Sequence, residues 1–198
     1  IRKHGKEYIK SVDLNLVTSL CRFIDTFIVN PDLNLKKRSL AELKPIFANI
    51  FIFSFVWSLG GNLAEGCQES FDSWLKDTCD ASQINEIQLP TSGNVFGFFI
   101  DFKKGFMGWE EMVPVFKYSA DIPYFQMMVP TVDTVKYGYL LENLLANSFP
   151  TLFCGETGVG KSIIVQDLLN RVGKNKKYLN VVLNFSAQTK SNQTQQMM

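Results

Sequence analysis

The chain has 198 residues, 46% of them hydrophobic and 20% charged, with a formal net charge of +1. That length and apolar content can bury a core in one domain or two small ones, which excludes a disordered tail, a collagen-like chain and a disulfide scaffold. The near-zero charge provides no electrostatic footprint for bulk binding to nucleic acid or to an anionic membrane.

Residues 12–28 read as an amphipathic helix. Leu16, Val17, Leu20, Cys21, Phe23, Ile24, Phe27 and Ile28 recur at three- and four-residue steps, and Asn30-Pro31 ends the pattern. Residues 32–44 are polar and basic, a loop or short helix with Lys36-Lys37-Arg38 on a solvated face. No charged residue occurs from Pro45 to Ala64. Its dense apolar part, residues 46–59, falls short of the roughly 20 residues a bilayer span needs. Asn49, Ser54, Ser58 and the Gly60-Gly61 break also favour a helix buried inside the protein. Phe71, Trp74 and Leu75 form a further apolar stripe at helical spacing, followed by an expected loop over residues 79–90. Together these make a small helical subdomain.

The pattern then changes. Residues 94–109 alternate and are rich in Phe, with Lys103-Lys104-Gly105 as a turn, which predicts a β-hairpin. Residues 110–125 read as an aromatic, irregular connector. Residues 135–146 predict a helix with Tyr139, Leu140, Leu144 and Leu145 on its apolar side and Asp133 or Thr134 as its cap. No internal repeat is visible. Residues 191–198 are polar and Gln-rich, a tail or a helix without its apolar face.

Gly155-Glu156-Thr157-Gly158-Val159-Gly160-Lys161-Ser162 matches G-x-x-x-x-G-K-[ST] in full. Glycines let successive backbone N–H groups point into one concavity that phosphate oxygens fill, at the N-terminus of the next helix. In that chemistry Lys161 reaches the β- and γ-phosphates and Ser162 ligates Mg²⁺. With glycine near 7% of residues, a chance match in a chain this long has a probability of about 1%. The flanks strengthen it: Thr151-Leu152-Phe153-Cys154 reads as a strand, residues 163–172 as a helix and residues 178–185 as a second strand. Hydrolysis needs an acidic residue at the end of a later strand, and none follows Ser162. Asp25 and Asp101 end apolar runs but precede the P-loop, so neither is expected to hold metal. The chain can position a nucleotide but cannot complete a catalytic site, and no catalytic residue is assigned within it.

Cysteines stand at positions 21, 67, 79 and 154, with no C-x-x-C pair, and His4 is the one histidine. Reduced, mostly buried thiols fit this pattern better than a zinc site.

Three runs in order resemble a dynein heavy chain of axonemal type: Val129-Pro130-Thr131-Val132-Asp133-Thr134-Val135-Lys136-Tyr137, the P-loop, and Leu183-Asn184-Phe185-Ser186-Ala187-Gln188-Thr189. Upstream, Phe53-Ser54-Phe55-Val56-Trp57-Ser58-Leu59-Gly60-Gly61 resembles the helical lid of the second AAA+ module of the motor ring. The resemblance covers nearly the whole chain. It implies an incomplete fragment of a larger motor: an α/β P-loop (AAA+) start preceded by a helical lid subdomain and a β-hairpin connector. Residues 1–85 would be the lid of one module, 86–128 the connector, and 129–198 the N-terminal part of the next P-loop domain. The parent chain would be an ATP-hydrolysing, minus-end-directed microtubule motor driving ciliary and flagellar beating. This site would be regulatory, with ATP or ADP and Mg²⁺ as cofactors. Nucleotide-binding residues carried by the resemblance are Gly155, Thr157, Gly158, Val159, Gly160, Lys161, Ser162 and Ile163. Val129, Pro130 and Thr131 would lie near the adenine, and Ser162 would ligate Mg²⁺. Implied partners are neighbouring AAA+ modules of the same heavy chain, other dynein chains and microtubules, with no nucleic acid and no membrane. The implied location is cytoplasmic and cytoskeletal, in the axoneme of a cilium or flagellum. Two alternatives remain at this point: a truncated P-loop kinase or ATPase of another class, and a structural fragment whose P-loop stays empty.

Overall fold

Helix α1 spans Asp13–Ile28 and buries Phe23, Thr26 and Phe27. The buried Thr26 hydroxyl is satisfied by donating to the Arg22 carbonyl at 2.7 Å. These coordinates are a computed structural model that describes residues 5–64, 66–82, 84, 86–87, 89–116, 118, 129–174 and 179–197. After α1 the chain makes two short 3₁₀ turns, Pro31–Leu33 and Leu35–Lys37. The Asn30 side chain opens the first by accepting from the Asp32 N–H at 2.9 Å, and Leu33 becomes fully buried.

Helix α2 (Leu40–Phe55) begins earlier than its apolar run suggests. Ser39 and Glu42 form a reciprocal capping box, with the Ser39 N–H donating to the Glu42 carboxylate at 2.7 Å. Two orphan N–H groups are thereby paired, and this outweighs Pro45, which removes one donor inside the helix. The same bonds hold the Glu42 carboxyl below its ordinary pKa. The helix continues into a π-turn, Val56–Gly60. The continuous stretch Leu40–Gly60 is long and apolar enough to cross a membrane by length and composition, and half of it is buried inside the protein.

Helix α3 (Cys67–Ser82) runs into the stretch expected to be a loop. Phe71 and Leu75 are buried as expected, but Trp74 is 48% exposed, packing only one flank on Phe55 and Phe71. Strands β1 (Phe98–Asp101) and β2 (Gly105–Gly108) form the expected antiparallel hairpin, with Phe99 opposite Met107 and Ile100 opposite Phe106. Asp101 ties its turn by accepting from the Lys103 and Lys104 N–H groups, each at 2.8 Å. Another 3₁₀ turn, Trp109–Met112, follows. Of the expected connector, residues 117 and 119–125 lie outside the described residues.

Helix α4 (Val132–Ala146) is capped by Thr131, not by Asp133 or Thr134. Thr134 instead sits at the third helical position and completes a capping box, which places the start of the helix earlier than expected. Helices α5 (Lys161–Lys174) and α6 (Ser191–Met197) complete the chain, and α6 buries no residue.

One core gathers Phe23 and Phe27 of α1, Ile46, Ile50 and Phe53 of α2, the hairpin's Phe99 and Ile100, Trp109, and Leu140 and Leu144 of α4. A second gathers Ile52, Val56, Leu63, Phe71, Leu75, Val95 and Phe96. Two expected strands are corrected. Residues 151–154 and 179–185 form no strand, and residue 178 lies outside the described residues. The hairpin is the sole sheet among the described residues. A parallel strand exists only when neighbours complete its ladder, and here Leu152 and Leu179 are 79% and 91% exposed.

Candidate nucleotide site

The P-loop motif sits on the turn that enters α5. Gly155, Gly158 and Gly160 have φ of 155°, 88° and 85°. The last two lie squarely in the left-handed region that side chains disfavour, so the chain can curl there only because they are glycine. The Gly160 carbonyl accepts from the Ile163 and Ile164 N–H groups, both at 3.1 Å, and so starts the helix.

Lys161 is folded back over this loop. Its ammonium donates to the Gly155 carbonyl at 3.0 Å and also to the Glu156 carbonyl. An ammonium has three N–H donors and no acceptor. Two are taken by the loop's own backbone carbonyls, which leaves one donor for an anion. The lysine is thereby placed before any ligand arrives, which lowers the ordering cost of binding. Ser162 stands in the first turn of α5 with its side chain exposed, and Thr157, Val159 and Ile163 are also exposed. Ile164 and Leu168 are buried and anchor the opposite side of α5.

The fit to a nucleotide is therefore good for phosphate: curled glycine backbone, a prepositioned cation and the start of a helix occur together. Ser162 fits a Mg²⁺ ligand chemically, as a hydroxyl open to solvent next to that cation. Val129, Pro130 and Thr131 lead into α4. Thr131's hydroxyl is engaged with Thr134 in the capping box, and among the described residues no hydrogen bond joins this segment to the loop. Asp101 is committed to the hairpin turn, which also holds its carboxyl below the ordinary range through the Lys103 and Lys104 amides. All four cysteines are free, and Cys21 and Cys154 are exposed, which corrects the expectation of mostly buried thiols. Among the described residues no group of His, Cys, Asp and Glu could hold a metal ion by itself.

Two supports of the site are invisible in the motif. Arg171 of α5 pairs with Asp167 at 3.1 Å and reaches across to Glu142 of α4 at 3.4 Å. The i,i+4 half of that arrangement is readable from spacing, but the interhelix half is not. Phe153, two residues before the loop, packs edge-on against Tyr137 of α4 at 6.1 Å.

A family model described as the dynein heavy chain AAA lid domain matches residues 1–111, and one described as the P-loop containing dynein motor region matches residues 116–198. Human dynein axonemal heavy chain 6 is 43% identical over 199 aligned positions, covering 100% of this chain. Human dynein axonemal heavy chain 2 is 30% identical over 96% of it. The dynein-1-beta heavy chain of the Chlamydomonas reinhardtii flagellar inner arm I1 complex is 35% identical over 73%. The chain spans only 5%, 4% and 3% of the lengths of these relatives.

Proposed function

The chain belongs to the dynein heavy chains, and on that premise we propose that residues 155–162 bind ATP or ADP as part of the AAA+ ring of an axonemal motor. The supporting observation is Lys161, whose ammonium is held over the glycine-rich turn by two loop carbonyls with one donor to spare. Gly155, Thr157, Gly158, Val159 and Gly160 would offer backbone N–H groups, Ile163 would flank the bound nucleotide from the first turn of α5, and Ser162 would hold Mg²⁺. That ion would neutralise phosphate charge. Val129, Pro130 and Thr131 would border the adenine.

The site would be regulatory: nucleotide here would shift how neighbouring modules pack. The domain division follows the same reading, with a lid over residues 1–85, a connector over 86–128 and a P-loop domain from 129. The parent motor would work with neighbouring AAA+ modules, other dynein chains and microtubules in the axoneme of a cilium or flagellum. The family match leaves the kinase alternative without support.

The test is calorimetric titration of the chain with ADP and ATP, with and without Mg²⁺. Lys161→Ala removes a charge-assisted hydrogen bond and is expected to weaken binding by about 10- to 100-fold. Ser162→Ala is expected to abolish the gain that Mg²⁺ brings while sparing metal-free affinity. Unchanged affinity in Lys161→Ala would overturn the phosphate-binding assignment.

A further inference from the structure

Tyr137 touches two parts of the molecule that are remote in sequence. On one side its ring meets Trp57 edge-on, with centroids 6.2 Å apart and planes at 80°. On the other it meets Phe153 edge-on, at 6.1 Å and 89°. Both lie in the separation and orientation that aromatic pairs favour. Phe153 is two residues before Gly155, the first glycine of the loop. Trp57 belongs to the π-turn that ends α2 and packs on Phe96 at 5.6 Å. The rings thus run without a gap from the buried second core, through α4, to the segment that enters the P-loop. Lys136 lies over the outer part of this path, its ammonium 4.9 Å from the Tyr137 ring centre.

Trp57 has a second peculiarity. Its indole N–H is buried and has no hydrogen-bond partner. An unpaired buried donor costs stability, and packing rather than a hydrogen bond holds this side chain, with the rings of Phe53, Phe96 and Tyr137 among its neighbours. It also sits in a π-turn, an irregularity concentrated at functional sites. The position of Trp57 therefore depends on the rings placed against it, Tyr137 among them.

We propose that Tyr137 is a positioning residue for the nucleotide site. Through Phe153 it sets how residues 151–154 approach the loop, and through Trp57 it ties that approach to the packing of the π-turn. This inference rests on the nucleotide-binding reading above. Coupling of this kind is reciprocal: a change at Trp57 alters ADP affinity, and ADP alters the surroundings of Trp57.

The experiment uses the full 198-residue chain and ADP with Mg²⁺, read by calorimetry. Trp57→Leu and Tyr137→Leu are each expected to weaken ADP by about three- to tenfold, the range an ordinary aromatic pair can transmit. The double variant is expected to be no weaker than Tyr137→Leu alone, because both act on one path. Tyr137→Phe keeps the ring and is expected to bind ADP as the parent does. Additive losses, or a folded Tyr137→Leu with parental affinity, overturn the proposal. A second readout does not depend on those variants folding. In chain labelled with 5-fluorotryptophan, saturating ADP is expected to move the Trp57 ¹⁹F resonance and leave that of Trp109 in place. An unresponsive Trp57 resonance also overturns the proposal. Lys161→Ala separates the two readings: if it binds ADP normally, the phosphate loop and the proposal fall together. If it loses ADP while the Tyr137 variants do not, only the proposal falls.

Discussion

Replacing Gly60 by alanine tests the tightest point of the second core. A Cβ at this position would lie 2.7 Å from Phe96 Cζ and 2.9 Å from Phe71 Cε1, closer than real Cβ atoms approach. Neither ring is free to retreat. Phe96 is packed on Trp57 and Phe71 on Phe55, and the two phenylalanines stand 5.7 Å from each other. Forcing one methyl into such a core costs about 1–3 kcal/mol. The helical preference of alanine over glycine returns about 1 kcal/mol at most. At the middle of that range the repulsion wins, for a net loss of about 1 kcal/mol. Gly138 in α4 supplies the opposite sign. It too is buried, yet a Cβ there meets nothing within 4 Å. Gly138→Ala should therefore keep the propensity gain, about 0.5–1 kcal/mol. For a chain of this size 1 kcal/mol moves Tm by about 2–4 °C. Thermal unfolding followed by far-ultraviolet circular dichroism should show Gly60→Ala lower and Gly138→Ala higher than the parent. A parental midpoint for Gly60→Ala, or both variants moving the same way, would refute the steric argument.

Three further outcomes follow from single side chains. Trp109 is fully buried and donates its indole N–H to the Phe96 carbonyl at 3.0 Å. Trp109→Phe should cost about 1–3 kcal/mol by leaving that carbonyl unpaired, read as a lower urea midpoint at unchanged slope; an unchanged midpoint would remove the bond from the account. Burial, helped by the Asp101 charge, pushes the Tyr139 phenol up to about 12. Its folded value lies above the ordinary value near 10, so its contribution to stability is intact below about pH 10 and fades as pH rises toward 12. Absorbance at 295 nm should show a late phenolate step that Tyr139→Phe abolishes, whereas a single common step near pH 10 would contradict the burial. The Asp101 carboxyl is held low by the Lys103 and Lys104 amides. Its folded value lies below the unfolded value of about 3.9, so its contribution is present above that pH and is lost as pH falls through the folded value. Asp101→Asn should flatten the acid limb of a urea-stability profile, and an identical limb would show that the carboxylate charge plays no part.

Much of the fold was legible because it is locally determined. The span of helix α1 agrees with its apolar periodicity to within a residue, although Val17 and Cys21 of that pattern are exposed, and the hairpin appears where alternation and Lys103-Lys104-Gly105 place it. The two misplaced helix starts have one cause. At α2 and α4 the capping boxes at Ser39 and Thr131 decided where the helices begin, and apolar pattern says little about a cap. Trp74 shows the complementary limit: helical spacing identified its face of α3, but the depth of burial depends on what packs opposite, which spacing does not contain.

The candidate site divides along the same physical line. What curls the P-loop itself lies within a few residues of it: glycines able to adopt positive φ, the Gly160 carbonyl that opens α5, and the loop carbonyls that hold Lys161. A motif of eight positions can therefore specify the curl of the loop, whereas the contacts of Phe153 with Tyr137 and of Arg171 with Glu142 lie outside it. A strand at residues 151–154 needs a ladder from distant segments, and its hydrophobic character specifies only a readiness to pair. The path through Trp57, Tyr137 and Phe153 is less local still, since no pattern in any one stretch predicts which rings will meet. A candidate nucleotide site can thus be read from its motif, whereas what packs around it must be read from the structure, and here that packing leads back through α4 to the π-turn at the end of α2.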